Sequence, residues 1–259
     1  MQTILITGAG SGIGAATAKL LSKNKNTRLI LVGRRLEPLR ELKSQLDNSE
    51  SHLAKSIDIS VTESLTKFLE SPEADLNTYP LVSVFANAGI GGPNTFGPMD
   101  RWKEIIDINL TGTYNTCMIT HPWLVKAKEA GHTTRNIVIT SSCLARFGVP
   151  GQTAYVASKT ALLGLVRSLA TSWSSDGLLI NAINPGWVET EMAQNSIQAM
   201  AYHEGVSYEA MHKQQCAILP TGRMSQPEEI AALVQFLFSD AQKSITGQAI
   251  DINGGSWMG

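Results

Sequence analysis

Tyr155 and Lys159 stand four residues apart, so a helix would put a phenol and an ammonium on one face, one turn from each other. A phenol with a fixed cation beside it is a candidate proton donor. The cation favours phenolate and lowers a pKa that is ordinarily about 10. Ser142 follows the β-branched run Ile137-Val138-Ile139-Thr140, where its hydroxyl could hold the same substrate oxygen. In the competing reading, Tyr155 and Lys159 merely flank a helix and the serines cap a strand. The stretch taken alone does not choose between the two.

The elements that would position these residues alternate along the chain. Thr3–Thr7, Arg28–Val32, Leu53–Ile59, Leu81–Phe85, residues 137–141, Leu178–Asn184 and Ala249–Ile252 read as strands. Between them, helical spacing appears over Leu36–Leu46, Val61–Leu69, roughly 100–129 with a kink expected at Pro122, the Tyr155 segment, and Glu228–Leu237. Leu162, Val166, Leu169 and Trp173 continue the Tyr155/Lys159 face, placing the pair at the end of a buried stripe. This alternation predicts an α/β fold, a doubly wound parallel sheet of Rossmann-like type with helices on both faces. No composition shift divides residues 1–259, so a single domain is expected, with residues 190–219 as an aperiodic excursion from it.

Composition narrows the function classes. Hydrophobic residues make up 43% and charged residues 17%, as in globular proteins. A net charge of −1 offers nothing to nucleic acid or an anionic membrane. No apolar run reaches the roughly 18 residues of a membrane span, and a strand pattern beginning at Thr3 argues against a cleaved signal peptide. Cys117, Cys143 and Cys216 are odd in number and widely spaced, which suggests neither a disulfide framework nor a zinc site. A cytoplasmic location and no metal are expected. Cys143 reads as packing, with no histidine partner at a recognisable spacing, and His203 and His212 read as ordinary surface or loop residues.

The first strand turns into a helix through Thr7-Gly8-Ala9-Gly10-Ser11-Gly12-Ile13-Gly14. Such a turn sets backbone N–H groups and the positive helix end against a pyrophosphate. No Gly-Lys-Ser/Thr follows, which removes the triphosphate P-loop reading. At the end of the second strand, NAD(H) calls for a carboxylate on the ribose 2′-hydroxyl, and a 2′-phosphate calls for arginine. The chain has Gly33-Arg34-Arg35 there, so NADP(H) is favoured over NAD(H), although the arginines would also suit a solvated helix start and Glu37 lies close by.

Taken in order, Thr7-Gly8-x-x-x-Gly12-Ile13-Gly14, Asp58, Asn87-Ala88-Gly89, Asn109, Ser142, Tyr155-x-x-x-Lys159 and Pro185-Gly186 with Thr190 resemble the short-chain dehydrogenase/reductase family over essentially the whole chain. The resemblance implies that Asn109, Ser142, Tyr155 and Lys159 form a catalytic tetrad. It implies cofactor contacts from Gly8, Ser11, Gly12, Ile13, Gly14, Arg34 and Arg35, and from Asp58 with Ile59 at the adenine. Asn87, Ala88 and Gly89 would line the adenosine side, Tyr155 and Lys159 would also touch the cofactor, and Pro185, Gly186, Val188 and Thr190 would hold the nicotinamide amide. Asn109 would keep a water that reconnects Lys159 to solvent. Ala86 departs from the family, which often has Asn there, and the change is expected to touch stability rather than chemistry. The implied activity is hydride transfer between nicotinamide and a ketone, 3-oxoacyl group or secondary alcohol. Leu144, Val149, Gln152, Trp187, Met192 and residues 193–219 would wall the substrate. A homo-oligomer, tetramer or dimer, is implied too. The alternatives are an NAD-linked dehydrogenase of secondary alcohols or hydroxy acids and a non-catalytic dinucleotide sensor.

Overall fold

The β-branched and aliphatic runs form one seven-stranded parallel sheet, ordered β3-β2-β1-β4-β5-β6-β7. In chain order the strands are β1 (Gln2–Thr7), β2 (Thr27–Gly33), β3 (Leu53–Ser56), β4 (Leu81–Ala86), β5 (Arg135–Thr140), β6 (Leu178–Pro185) and β7 (Ala249–Ile252). The helices are α1 (Gly12–Leu21), α2 (Leu36–Ser44), α3 (Thr62–Leu69), α4 (Trp102–Ile106), α5 (Gly112–Glu129), α6 (Thr153–Trp173), α7 (Glu191–Glu204), α8 (Tyr208–Ala217) and α9 (Pro227–Phe238). This computed structural model describes residues 1–132 and 135–259.

Successive strand residues point to opposite faces, and both faces of the central strands are covered, so β1, β2 and β4 are mostly buried and centred on apolar runs. Leu5, Ile30, Val84, Ile137 and Ile180 pack with Cys117, Leu124, Leu162 and Val166 of α5 and α6. Ile4, Ile6, Leu29, Leu31, Phe85 and Val138 pack on the other side with Ala18, Leu39, Ile230 and Val234 of α1, α2 and α9. Each fully buried aliphatic side chain of this kind contributes about 1.5–3 kcal/mol. β1 pairs with β2 on one edge and β4 on the other, so strand order reverses there. The loops leaving the carboxyl ends of β1 and β4 diverge and open a crevice.

Three expectations change. The third strand stops at Ser56, leaving Asp58 and Ile59 on the following loop. The helical stretch after residue 100 carries Pro122, the expected kink position, inside α5, exposed where solvent can take up the freed carbonyl. Its irregularity is a π-helical segment over Asp107–Thr111 that carries Asn109. Residues 190–219, aperiodic in sequence, hold α7 and α8. These pack on a small separate cluster of Ile197, Ala201, Met211, Leu219 and Met224, which demands only a narrow apolar stripe. Among the described residues, no helix is long and apolar enough to cross a membrane.

Candidate active site

The turn after β1 is glycine-rich because its neighbours leave no room for side chains. A Cβ on Gly14 would sit 2.3 Å from the carbonyl oxygen of Gly8, and one on Gly8 would sit 2.7 Å from Cα of Ala88. Gly8 and Gly12 also have φ of +65° and +52°, in the left-handed region. Asn87 ties the strand ends beneath them. Its Nδ2 donates to the carbonyls of Thr7 and Gly8 at 3.3 Å each, while its Oδ1 accepts from Thr140 Oγ at 3.0 Å. Thr7 Oγ accepts the amides of Asn87 and Ala88. Gly12 faces the loop after β6, since its Cβ would meet Cγ2 of Thr190 at 3.0 Å. That loop is close-packed as well: a Cβ on Gly186 would lie 2.7 Å from the Asn253 carbonyl oxygen, and Val188 bridges to Ser225.

A cleft of about 280 Å³ runs from this turn across the carboxyl ends of β2 and β4. Of the expected cofactor residues, Gly8, Ser11, Arg34, Arg35, Asp58, Ile59, Ala88 and Gly89 line it. Gly12, Gly14 and Asn87 shape the turn instead, Ile13 is half-buried against the core, and the 185–190 loop adjoins through Thr190. Gly10, Gly33, Pro38, Leu39, Ile57, Ile90 and Ile108 complete the lining. Gly10 and Gly33 stand in the motifs already quoted but were not assigned contacts, and sequence reasoning missed the other five, of which Ile57, Ile90 and Ile108 neighbour a predicted residue. The cleft's lining residues are of the kinds that could hold the phosphates and adenosine of a dinucleotide. Ser11 makes no side-chain cap on α1 and the first turn of α1 holds no acid, leaving its amides to an anion. Burial would raise the Asp58 carboxyl, but hydrogen bonds from Ser60 and the charge of Arg34 outweigh it and hold Asp58 below its ordinary value. Arg35 sits 3.8 Å from Glu191, both largely exposed.

The expected tetrad converges beside this cleft. Ser142 ends the extended run after β5, its Oγ accepting the Leu144 amide at 3.1 Å. Tyr155 lies in the first turn of α6 and Lys159 one turn on, its Nζ 5.7 Å from the phenol ring centre. Lys159 Nζ donates to the Thr140 carbonyl at 2.8 Å, and its own carbonyl accepts from Ser141 Oγ. Asn109 is completely buried: Oδ1 accepts the Ile90 amide at 2.8 Å, and Nδ2 donates to the Ile90 carbonyl and to Ser158 Oγ. Gly89 separates Asn109 from Lys159, because a Cβ there would lie 3.2 Å from Asn109 Oδ1 and 3.3 Å from Lys159 Nζ.

One electrostatic expectation is corrected. The phenol of Tyr155 is not drawn down by its cationic neighbour: burial pushes it up to about 12, and the Ser142 hydroxyl only partly offsets this. Burial likewise pushes the Lys159 ammonium down to about 8. At neutral pH both groups hold their protons, so the site can deliver a proton from Tyr155 and stabilise the resulting anion with Lys159. Of the expected substrate walls, Met192 reaches the site, its Sδ 3.3 Å from where a Cβ on Gly91 would lie and Tyr155 Cε2 4.0 Å from the same point. Trp187 instead packs against the α7–α8 cluster.

The short chain dehydrogenase family model matches residues 2–201. The chain is 30% identical to the 3-oxoacyl-[acyl-carrier-protein] reductase of Thermotoga maritima, covering 98% of this chain and 97% of that one. It is 36% identical to the acetoacetyl-CoA reductase of Shinella zoogloeoides over 78% and 77% of the two chains. The crystal structure of actinorhodin polyketide ketoreductase with NADPH superposes with a TM-score of 0.89 at 27% identity, over 98% of this chain and 97% of that chain.

Proposed function

The chain belongs to the short-chain dehydrogenase/reductase family of NAD(P)-dependent oxidoreductases, and we propose that it is an NADPH-dependent reductase of ketones or 3-oxoacyl thioesters. The observation that carries the reading is the convergence of Ser142, Tyr155 and Lys159 next to a cleft that Arg34 and Arg35 line. The relatives named above reduce 3-oxoacyl and ketone groups by their printed names, and the expected pocket walls are mostly apolar.

Gly8, Ser11 and the α1 amides would hold the pyrophosphate, Arg34 and Arg35 the 2′-phosphate, Asp58 and Ile59 the adenine side, and the 185–190 loop the nicotinamide side. The bound dinucleotide would supply the hydride. Ser142 Oγ holds the substrate oxygen, and Tyr155 gives it a proton, which a phenol at about 12 retains until the oxygen gains charge. Lys159 then faces the phenolate left behind. Asn109 locks Ile90 and Ser158, and Ser158 Oγ donates to the Tyr155 carbonyl at 2.7 Å, so Asn109 positions the helix turn that carries the acid.

Tyr155→Phe removes the proton and little else. Turnover in NADPH oxidation against a 3-oxoacyl thioester and a ketone panel should fall about a thousandfold or more, with NADPH binding and melting temperature retained. Preserved turnover would overturn the assignment. Arg34→Asp should move the kcat/KM preference from NADPH toward NADH; an unchanged ratio would refute the 2′-phosphate role.

A further inference from the structure

Between α8 and the loop after β6, three side chains that the proposed reaction does not use form a relay. His212 on α8 has Nε2 2.7 Å from Oε1 of Glu189 and Nδ1 3.7 Å from Sγ of Cys216. His212 and Cys216 are four residues apart, so one helical turn stacks sulfur over imidazole. Glu189 arrives from the loop after β6. The His212 and Glu189 side chains are 29% and 25% exposed, and Cys216 is half-buried, so reagents can approach.

A carboxylate accepts only, so the bond to Glu189 assigns the ring proton to Nε2. Nδ1 of the neutral imidazole then presents its lone pair to the thiol. Nucleophile, base and orienting group thus stand in sequence. The sulfur and the carboxylate lie at opposite nitrogens of the ring and do not converge, and no group of three such side chains among the described residues could hold a metal ion. The other two cysteines differ. Cys117 is completely buried with its thiol pushed up to about 12, and Cys143 is 8% exposed with its thiol also raised by burial.

We propose that Cys216 is a modification site for low-molecular-weight disulfides and that its state governs the loop carrying Glu189. The thiol proton passes to His212 Nδ1, and Sγ attacks one sulfur of R–S–S–R. The Sγ–S bond forms as the S–S bond breaks, and the departing thiolate takes the proton from the imidazolium. Cys216 is oxidised to a mixed disulfide and the leaving half is reduced to a thiol; excess thiol reverses the exchange. The Glu189 amide donates to the Ser225 carbonyl at 2.9 Å, and the next residue, Thr190, abuts Gly12 of the phosphate turn. A substituent on Sγ needs room at the Nδ1 side of the ring, so the imidazole must turn or shift, and the Nε2–Glu189 contact that ties this loop to α8 is lost with it. This coupling rests on the cofactor role proposed for residues 185–190; the thiol chemistry does not.

The test treats the full-length protein with hydroxyethyl disulfide and follows adducts by peptide mass mapping. One adduct, on Cys216, is expected, forming about tenfold more slowly in His212→Asn and more slowly also in Glu189→Gln. The two variants lie on different elements, and each is first checked for native circular dichroism. Equal rates in wild type and either folded variant, or faster labelling of Cys117 or Cys143, would overturn the site. NADPH is then titrated by fluorescence before and after modification. The Kd should rise several-fold, recover with dithiothreitol, and not respond to disulfide in Cys216→Ser. An unchanged Kd at full modification would overturn the control. Failure of untreated protein to bind NADPH would refute the cofactor reading and the control with it, while the labelling rates would still decide the thiol.

Discussion

On the sheet side of the cleft, Asn109, Ser142 and Lys159 are buried and bonded to main chain, at Ile90, Leu144 and Thr140 respectively. On the α7–α8 side, the ties run between half-exposed side chains such as His212 with Glu189, or exposed ones such as Arg35 with Glu191. The first side draws its order from the core of the sheet; the second stands on a five-residue cluster of its own. Groups that must meet a reacting atom within tenths of an ångström need the former kind of support. If the proposed function holds and this side walls the substrate, its looser support would let it adjust to a ligand.

That contrast can be broken by substitution. Beyond the loss of turnover expected of Tyr155→Phe, the largest effect should come from Asn109→Ala. It removes three hydrogen bonds, one buried and two part-buried, and leaves Ile90 without this side-chain partner, so stability should fall by about 2–4 kcal/mol in urea unfolding. Turnover should fall with it, by about a hundredfold as the α6 turn loses its support. Loss of stability with full turnover would mean that the π-helical segment does not position the acid.

A second probe is pH. With Lys159 at about 8 in the free enzyme, kcat/KM for reduction should decline above that value as the ammonium deprotonates. Lys159→Arg keeps its charge and should carry this limb upward. The stability consequence has a definite sign. Below about 8 both states are protonated and the fold bears the buried charge. From about 8 to 10.5 the unfolded lysine keeps its proton while the folded one has released it, so stability attributable to Lys159 rises with pH. Comparing wild type with Lys159→Met by urea unfolding at pH 7.5 and 9.5 isolates this slope: wild type should gain stability relative to the variant as pH rises, and a relative loss would contradict it. The smallest effect belongs to the other wall. Met192 is 46% exposed, so Met192→Ala should change stability by under about 1 kcal/mol and shift substrate KM a few-fold at constant kcat. A change in kcat alone would place Met192 with the chemistry.

The same contrast explains what the sequence revealed. Tyr155 with Lys159, and the Gly8–Gly14 turn, are local patterns whose spacing is their geometry, so both were legible. The sheet was legible for a related reason: burial on both faces writes itself as continuous apolar runs. The π-helical turn at Asn109 was not, because one extra residue in a turn changes no residue type. Helices α7 and α8 escaped notice because a cluster of five residues leaves too sparse a stripe. The partnership of Glu189 with His212 spans 23 residues and three elements, a distance at which spacing is silent; only the His212–Cys216 half was open to inspection. The phenol value was misjudged because the nearby ammonium was weighed and the cost of burying a phenolate was not, although the buried stripe that continues from the pair was already legible.

The position of β1 in the sheet has a consequence for how the chain assembles. β1 is first in sequence but third from one edge, and its two neighbours become available at very different times. β2 follows after a single helix, so that pairing is local; β4 lies about eighty residues on, and closing so long a loop is slow. Until β4 docks, Ile4-Leu5-Ile6 presents an apolar edge with free amides and carbonyls, open to another nascent chain. The strand that anchors the glycine turn is therefore also an aggregation liability during folding, and substitutions that delay β4 should lower soluble yield before they touch catalysis.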